Sequence, residues 1–361
     1  MRLAATLLLL ALTVATTPAV AAERACPPSA GVPTRAQLTQ AMRSARDRGV
    51  LWRFSKDGRH GYLYGTIHVG KPDWAMPGRA VFGALADAET IVLEADPLDV
   101  AFHAGVTAPP APHEAPTLPA ALAARLSRQA ERTCTSWPRL QTMPPMMIAA
   151  TLTLRDAAWE GFFVEYASEM VLAGYARGAN KPLATLETTE IQRAAINGGL
   201  PAEQLASIET LVGGLEQGTA RKELVAVAEA WARGDLEALR RTLLAIDPVE
   251  RAGVERMVLP RNPPMAASIE ALHATGRRVF VGVGILHMVG TTGLPRLLQH
   301  RGFTVERITF DGRTGLDIGE VEGNPPRVPL PTGEVEGNPA RVPLPTGEVE
   351  GNPARVPLPK E

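Results

Sequence analysis

The sequence predicts an α/β fold: a mixed sheet with strands from both ends of the chain, helices packed over it and a large helical region in the middle. Between the strands, residues 120–176 and 202–259 carry apolar side chains at helical spacing. The strands must therefore pair across long stretches of chain, in an α/β or an α+β arrangement. Apolar runs typical of strands lie at residues 51–54, 61–67, 90–93, 181–187, 278–284 and 303–310.

Local signals place the first elements. Thr34 and Gln37 form a capping box for a helix that ends near Gly49, because each side chain can satisfy a backbone amide of the other residue. The Asp57-Gly58 step predicts a tight turn between the first two strands.

The next elements follow from spacing and composition. A helix over residues 79–88 leads to the third strand. Residues 106–119 are rich in proline and alanine and are predicted to form a loop that can act as a flap. Thr189 and Gln192 are predicted to cap a later helix.

In the second half of the chain, glycine and proline predict where helices end. A break is predicted at Gly213-Gly214. Residues 259–264 are predicted to be a rigid turn before a helix over residues 265–275, and residues 294–300 form a last helix.

The two ends of the chain differ in composition from the rest. Residues 1–22 have a basic start, a short apolar stretch and a small-residue cleavage site. They predict a signal peptide and a periplasmic or secreted protein of a Gram-negative bacterium. Residues 319–361 are three near-identical 14-residue repeats rich in proline and glycine, predicted to be a disordered tail or, alternatively, a docking segment for a protein partner. Residues 23–318 are then one α/β domain.

Charge and cysteine content restrict the partners and the compartment. Lys plus Arg number 37 and Asp plus Glu number 38, without a basic run interleaved with aromatic residues, so nucleic acid is not an expected partner. No segment is long and apolar enough for stable membrane insertion. The two cysteines, Cys26 and Cys134, are expected to form a disulfide in an oxidising compartment, the alternative being two buried thiols.

Two copies of one short motif end strand-like runs that lie more than two hundred residues apart. They are residues 65–68 (Gly-Thr-Ile-His) and residues 284–287 (Gly-Ile-Leu-His), and a third run ends in Glu94. In open α/β sheets, functional groups gather beyond the carboxyl ends of the strands. His68, His287 and Glu94 are therefore predicted to share a site that can hold a metal ion.

Four further residues are candidates for this site. Glu187 ends another strand and is a fourth candidate metal ligand. Arg261 and Asn262 are candidates to stabilise an oxyanion or to bind a substrate carboxylate, and alternatively to stabilise a loop and cap the helix after it. Tyr64 shares a strand face with His68, which makes it a candidate to contact substrate or to orient the imidazole, with core packing as the alternative.

Together these motifs resemble the TraB/GumN family, which includes the Tiki proteases. The resemblance covers nearly all of residues 26–310, and it is the order and spacing of the motifs that make it specific. The residues that carry it lie at positions 51–52, 62–68, 93–96, 186–188, 261–262 and 281–290.

The resemblance implies an erythromycin-esterase-like and ChaN-like α/β fold. Its site is built from two Gly-x-x-His motifs and a glutamate, which correspond to His68, His287 and Glu94. In the Tiki branch this site is a metal-dependent protease assisted by manganese or cobalt, and zinc is a further candidate. One departure is Glu165, in the region where many relatives have an aspartate before a helix.

The expected function is an exported metal-dependent hydrolase, in the first place a peptidase, acting on a peptide or other small substrate. Glu94 is expected either to bind the cation or to act as the general base that activates water. One alternative is a non-catalytic periplasmic binding protein for haem, iron or a peptide signal. Another is an envelope-polysaccharide accessory factor with a protein partner recruited through the C-terminal repeats.

Overall fold

The computed structural model describes residues 26–31, 34–111 and 115–316. The predicted signal peptide (residues 1–22) and the predicted repeat tail (residues 319–361) lie outside the described residues. No helix in the described ranges is long and apolar enough to cross a membrane.

The described part of the chain forms a mixed sheet with the strand order β4-β3-β5-β2-β1-β6. β1 runs antiparallel to both of its neighbours, whereas β2, β5, β3 and β4 pair in parallel. The predicted α/β class with strands from both ends of the chain is therefore confirmed. The strands are β1 (Val50–Lys56), β2 (Arg59–Thr66), β3 (Thr90–Leu93), β4 (Leu183–Thr185), β5 (Val279–Gly284) and β6 (Thr304–Ile308).

Helices cover the sheet and fill the middle of the chain. They are α1 (Arg35–Arg43), α2 (Arg79–Asp87), α3 (Val100–Thr107), α4 (Ala120–Arg132), α5 (Trp137–Leu140), α6 (Pro145–Asp156), α7 (Ser168–Gly178), α8 (Thr189–Ile196), α9 (Pro201–Gln217), α10 (Thr219–Ala232), α11 (Leu236–Ala245), α12 (Pro248–Val258), α13 (Asn262–Ala274) and α14 (Leu294–His300).

The parallel strands bring four distant sequence positions to one edge of the sheet. β4, β3, β5 and β2 are consecutive neighbours, so their carboxyl ends all point the same way. The central strand β5 is buried on both faces, since Val279, Phe280, Val281 and Val283 are almost fully inaccessible. Strands buried in this way read as continuous apolar runs rather than as alternating ones. The sheet is thus a rigid support for the residues that follow each strand.

Two large apolar clusters and two smaller ones stabilise the fold. The larger one surrounds the sheet and includes Phe54, Leu63 and Phe280. The second lies within the helical middle region, where Leu126 on α4 and Leu152 on α6 pack against apolar residues of α9.

Trp231 on α10 connects the helical region to the sheet. Its buried indole N–H donates a 2.7 Å hydrogen bond to the carbonyl of Gly65 on β2. Its ring packs against Tyr64 and Trp74, with centroids 6.4 and 5.5 Å away. The strand that leads to the first Gly-x-x-His histidine is therefore fixed from the helical side.

The predicted disulfide is formed. Cys26 and Cys134 are bonded, with Cα atoms 5.6 Å apart and 108 residues between them in sequence. Tyr166 and Arg155 donate further hydrogen bonds to carbonyl groups of the segment that begins at Cys26. The N-terminal segment is thus attached to the helical middle region by a covalent bond and by polar contacts.

The first local predictions agree with the structure except for the end of the first helix, which lies at Arg43 and not near Gly49. The Thr34–Gln37 capping box begins α1, and the Asp57-Gly58 turn joins β1 to β2. The predicted loop over residues 106–119 is wrong at its start, because α3 extends to Thr107.

Three predictions of helix ends are wrong. Gly213-Gly214 lies inside α9, which ends at Gln217 and is capped by Gly218 in the left-handed conformation, with φ 72°. The helix predicted to begin at residue 265 begins at Asn262, because its two prolines fit the first turn, where their missing N–H groups are not needed. Thr188, and not Thr189, is the N-cap of α8.

Candidate functional site at the carboxyl edge of the sheet

Four predicted site residues follow the four parallel strands. His68 comes two residues after β2, and Glu94 comes directly after β3. Glu187 comes two residues after β4, and His287 lies in a short 3-10 turn after β5. Because these strands are neighbours, the structure brings all four side chains to the same edge of the sheet.

Arg261 joins the two carboxylates of this edge. Its Nε and Nη2 atoms donate to the two oxygens of Glu187 at 2.8 and 2.6 Å, and Nη2 also donates to Oε2 of Glu94 at 2.7 Å. Gln192 on α8 donates to the same two carboxylates, at 2.6 Å to Glu187 and 3.3 Å to Glu94. The remaining arginine nitrogen, Nη1, donates to the carbonyl of Met257 near the end of α12. Arg261 is therefore held between a helix end and two acids.

The other oxygen of Glu94 faces β5. Oε1 accepts a 2.5 Å hydrogen bond from the backbone N–H of Gly284 and lies 3.8 Å from Nε2 of His287. A Cβ atom at position 284 would lie only 3.0 Å from this oxygen. The glycine of the second motif thus lets the backbone approach the carboxylate closely.

Asn262 orients His287. The amide Nδ2 of Asn262 donates to the carbonyl of Thr292 at 2.9 Å, so its Oδ1 is the atom that faces the imidazole. Nδ1 of His287 lies 2.5 Å from this oxygen and therefore carries the proton that it donates. Both residues are buried. Asn262 consequently uses both of its polar atoms within the protein.

His68 lies at the open side of the edge. Its Nδ1 donates to a carboxylate oxygen of Glu169, in the first turn of α7. The two segments are also joined through Ser168, whose hydroxyl accepts a 2.7 Å hydrogen bond from the Ile67 amide and whose own amide donates to the Ile67 carbonyl at 3.0 Å. About 70% of the His68 side chain remains exposed, so this imidazole is accessible from solvent.

Opposing effects set the charge of Glu94 and His287. Burial acts to raise the pKa of Glu94, but Arg261 and the neighbouring imidazoles outweigh it and lower this pKa to about 2. Burial lowers the pKa of His287 to about 4, although Glu94 opposes the shift. At neutral pH the pair is an ionised carboxylate facing a neutral imidazole.

The other two titratable residues shift in the opposite direction. The carboxylate of Glu169 raises the pKa of His68 to about 9. Burial raises the pKa of Glu187, and its hydrogen bonds from Arg261 and Gln192 only partly offset this. The edge thus combines groups whose pKa values are displaced in both directions, which is a common property of functional sites.

Tyr64 lies apart from this network. Its hydroxyl donates to the carbonyl of Arg48 at 2.9 Å, and its ring packs against Trp231 and Phe280. The side chain is buried in the main core.

Glu169 and Gln192 are site residues that the sequence did not predict. Glu169 comes four residues after Glu165, at the start of α7, and it is Glu169 that contacts His68. Gln192 was predicted as part of a helix cap, but its side chain binds the two acids instead. The one signal for Gln192 was its position five residues after Glu187. A helix that follows a strand can bring a residue of its first turns close to the end of that strand.

The donor chemistry of the two histidines fits a divalent cation. Each imidazole donates through Nδ1 to an oxygen atom, of Glu169 or of Asn262. In the described residues neither Nε2 atom has a hydrogen-bond partner. Metal-binding histidines typically show this arrangement, in which an acceptor fixes one nitrogen and leaves the other for the ion. His68, His287 and Glu94 are the residues that would hold the cation.

These donors are not gathered into one compact cluster. Over the described ranges, no three His, Cys, Asp or Glu side chains lie together as a ready metal-ligand group. Glu187 already uses both oxygens on Arg261 and Gln192, and Glu94 uses Oε2 in the same way.

Fold and site together define an α/β protein that presents two imidazoles and two carboxylates at the carboxyl edge of a mixed sheet. The family model of the TraB/PrgY/gumN family matches residues 50–307, which is well over half of the chain, so the chain belongs to this family. The resemblance inferred from the motifs is thereby confirmed. No curated protein and no solved structure matches the chain.

Proposed function

We propose that this protein is an exported metal-dependent hydrolase of the peptidase type, with His68, His287 and Glu94 as the residues that hold a divalent cation. The observation that carries the proposal is the state of the two imidazoles. Each has its Nδ1 fixed by an oxygen acceptor and its Nε2 free, at the same sheet edge as an ionised carboxylate.

The close pair of His287 and Glu94 supports the proposal further. With Nδ1 protonated, Nε2 of His287 presents a lone pair, and 3.8 Å away Oε1 of Glu94 presents another. Two electron-rich atoms that face each other in a largely buried place are stabilised by a cation between or beside them. The neutral imidazole of His287 and the ionised carboxylate of Glu94 are also the protonation states that metal binding requires. His68, whose pKa is raised to about 9, would release its proton when the cation binds.

The protein residues have distinct tasks in this proposal. A bound divalent cation supplies Lewis-acid charge, which polarises a carbonyl group and makes water a better nucleophile at neutral pH. Glu94 contributes negative charge and a donor oxygen, and its low pKa favours this task over that of a general base. Asn262 and Glu169 are positioning residues that fix the two imidazole planes.

Manganese or cobalt is the proposed cation, with zinc as the alternative. Two imidazoles with one or more carboxylate oxygens form a mixed nitrogen and oxygen donor set, which these metals accept with open positions for water and substrate. The exposed side chain of His68 leaves one approach to the edge open, which suits a peptide or other small substrate.

Export is part of the same proposal. A disulfide persists in an oxidising compartment and is rare in a reducing one. The Cys26–Cys134 bond lies close behind the predicted cleavage region and supports a periplasmic or secreted location.

The test combines metal binding with peptide cleavage. Protein purified from a periplasmic extract is analysed for metal content, titrated with Mn²⁺, Co²⁺ and Zn²⁺ by calorimetry, and incubated with a peptide library and each metal. We expect saturable binding of one ion and metal-dependent cleavage, both reduced strongly by His287→Gln. His60→Gln is the matched control, because His60 contacts Asp87 at the sheet's opposite end. Absence of metal binding, or a haem absorbance band in the purified protein, would count against the proposal.

A further inference from the structure

The place of a cation at the two acidic strand ends is already taken by a side chain. The guanidinium of Arg261 binds both oxygens of Glu187 and one oxygen of Glu94, with donor–acceptor distances of 2.6 to 2.8 Å. A bidentate guanidinium–carboxylate pair is among the strongest charge-assisted contacts in proteins. Arg261 is thus the cation that the structure places between the two acids.

The arginine is placed there rigidly. It lies in the short 3-10 segment between α12 and α13, and its third nitrogen is held by the Met257 carbonyl. Only 11% of its side chain is exposed, compared with 16% for Glu94 and 4% for Glu187. Water therefore screens this triad less than it would screen an exposed one, and the charge of Arg261 acts more strongly on Glu94.

We infer that Arg261 is a built-in counter-cation that competes with a divalent metal for Glu94, and so limits how tightly this site binds its ion. The inference rests on the proposed function, since it concerns regulation of the same site. With the arginine in place, Glu94 offers one oxygen toward His287 while the other is neutralised. Without it, two largely buried carboxylates have no cation of their own, and an added divalent ion gains both of them.

The charge of residue 261, rather than its shape, is the quantity to vary. Arg261→Met and Arg261→Gln remove the charge, and the glutamine can still donate one hydrogen bond to Glu187. Arg261→Lys keeps the charge but cannot form the bidentate guanidinium contact with Glu187. Arg301→Met is the matched control, because it breaks a 2.7 Å arginine–glutamate contact with Glu270 outside the site.

The measurement is Mn²⁺ affinity by calorimetry, together with the Mn²⁺-induced shift in melting temperature, so that it does not depend on activity. We expect Mn²⁺ to bind Arg261→Met and Arg261→Gln about tenfold or more tightly than the wild type, because a unit charge a few ångströms from the ion has been removed. The metal-induced rise in melting temperature should grow in parallel. Arg261→Lys and Arg301→Met should bind Mn²⁺ like the wild type.

The possible outcomes separate the two ideas. Equal or weaker binding by the folded neutral variants, with the wild type binding normally, overturns the competition and leaves the proposed function intact. Binding by the neutral variants alone supports the competition but contradicts a metal-dependent wild-type enzyme. No binding by any variant overturns both. If Arg261→Met does not fold by circular dichroism, Arg261→Gln decides the question.

Discussion

Asn262 and His287 form a buried pair in which Nδ1 of the imidazole lies 2.5 Å from the amide oxygen of the asparagine. The asparagine begins α13, whereas the histidine follows β5, so the pair joins a helix start to a strand end. This contact determines which nitrogen of His287 carries the proton, and it leaves Nε2 directed toward the Glu94 side of the edge.

Replacing Asn262 should separate orientation of His287 from folding stability. Asn262→Ala removes the acceptor for His287 and the donor to Thr292, and we expect a loss of about 1–3 kcal/mol in the free energy of unfolding. Metal affinity should fall by about 10–100-fold, the usual effect of losing a ligand's supporting hydrogen bond. Urea denaturation and calorimetry measure the two effects.

Asn262→Asp is the informative partner variant. The aspartate keeps an oxygen that accepts from His287. Its second oxygen replaces the amide donor and faces the Thr292 carbonyl, which is also an acceptor. We expect stability to fall while metal affinity stays near that of the wild type. If both variants lose metal affinity equally, the asparagine acts only through folding and its assigned positioning task is wrong.

The strand-end residues could be predicted from the sequence because their signal is local. His68, Glu94, Glu187 and His287 each follow an apolar run, and parallel strands share an edge by geometry. The strand order β4-β3-β5-β2-β1-β6 could not be predicted, because four of its five pairings join strands that lie far apart in the chain.

The helical residues that contact the site were harder to predict. Glu169 and Gln192 lie on helices, and a helical residue meets a sheet edge only if tertiary packing rotates it there. Propensity and capping rules describe the helix itself and carry no information about that rotation. The same limit explains the wrong break at Gly213-Gly214, since packing against neighbouring helices outweighs the cost of glycine inside α9.

Gly70 should tolerate no side chain, because it lies against the segment that carries Glu169. The backbone N–H groups and carbonyls of Gly70 and Phe163 exchange hydrogen bonds of 2.9 and 2.8 Å, and a Cβ atom at position 70 would lie 2.1 Å from the carbonyl oxygen of Tyr166. The backbone cannot move aside as a side chain can. We expect Gly70→Ala to cost about 1–3 kcal/mol and to weaken metal binding by displacing Glu169 from His68.

Gly83→Ala is the control for this change. Gly83 lies exposed on α2, and an added Cβ atom would contact nothing within 4 Å. Alanine should therefore stabilise the protein by about 0.5–1 kcal/mol and leave metal binding unchanged. Thermal denaturation and Mn²⁺ titration of both variants check the pair. Equal stability of Gly70→Ala and the wild type would show that the two segments are not in close contact.

Trp231→Phe should loosen β2 from the helical region. Phenylalanine fills part of the same volume but cannot donate to the Gly65 carbonyl, and it leaves a space beside Tyr64 and Trp74. We expect a loss of roughly 1–3 kcal/mol in the free energy of unfolding, from the lost donor and the incompletely filled core. Guanidinium denaturation followed by circular dichroism gives this value.

The matched substitution is Trp159→Phe. Trp159 is only half-buried, and its indole N–H has no partner among the described residues. Its replacement should change stability by less than about 0.5 kcal/mol, as is usual for positions outside the core. If both variants lose the same stability, the hydrogen bond to Gly65 contributes nothing specific.

The Cys26–Cys134 disulfide should stabilise the protein without contributing to the site. It closes a long loop of 108 residues, so its loss enlarges the conformational freedom of the unfolded chain. We expect the double variant Cys26→Ser, Cys134→Ser to lose about 2–4 kcal/mol in the free energy of unfolding, measured by urea denaturation.

Dithiothreitol should lower the stability of the wild type to the same level and have no effect on the variant. Mn²⁺ affinity should remain unchanged in both cases, since no bond of the Glu94, His287 and Asn262 network involves the N-terminal segment. A wild type that is insensitive to dithiothreitol, or that shows two free thiols by mass spectrometry after purification from the periplasm, would contradict the disulfide and weaken the argument for export.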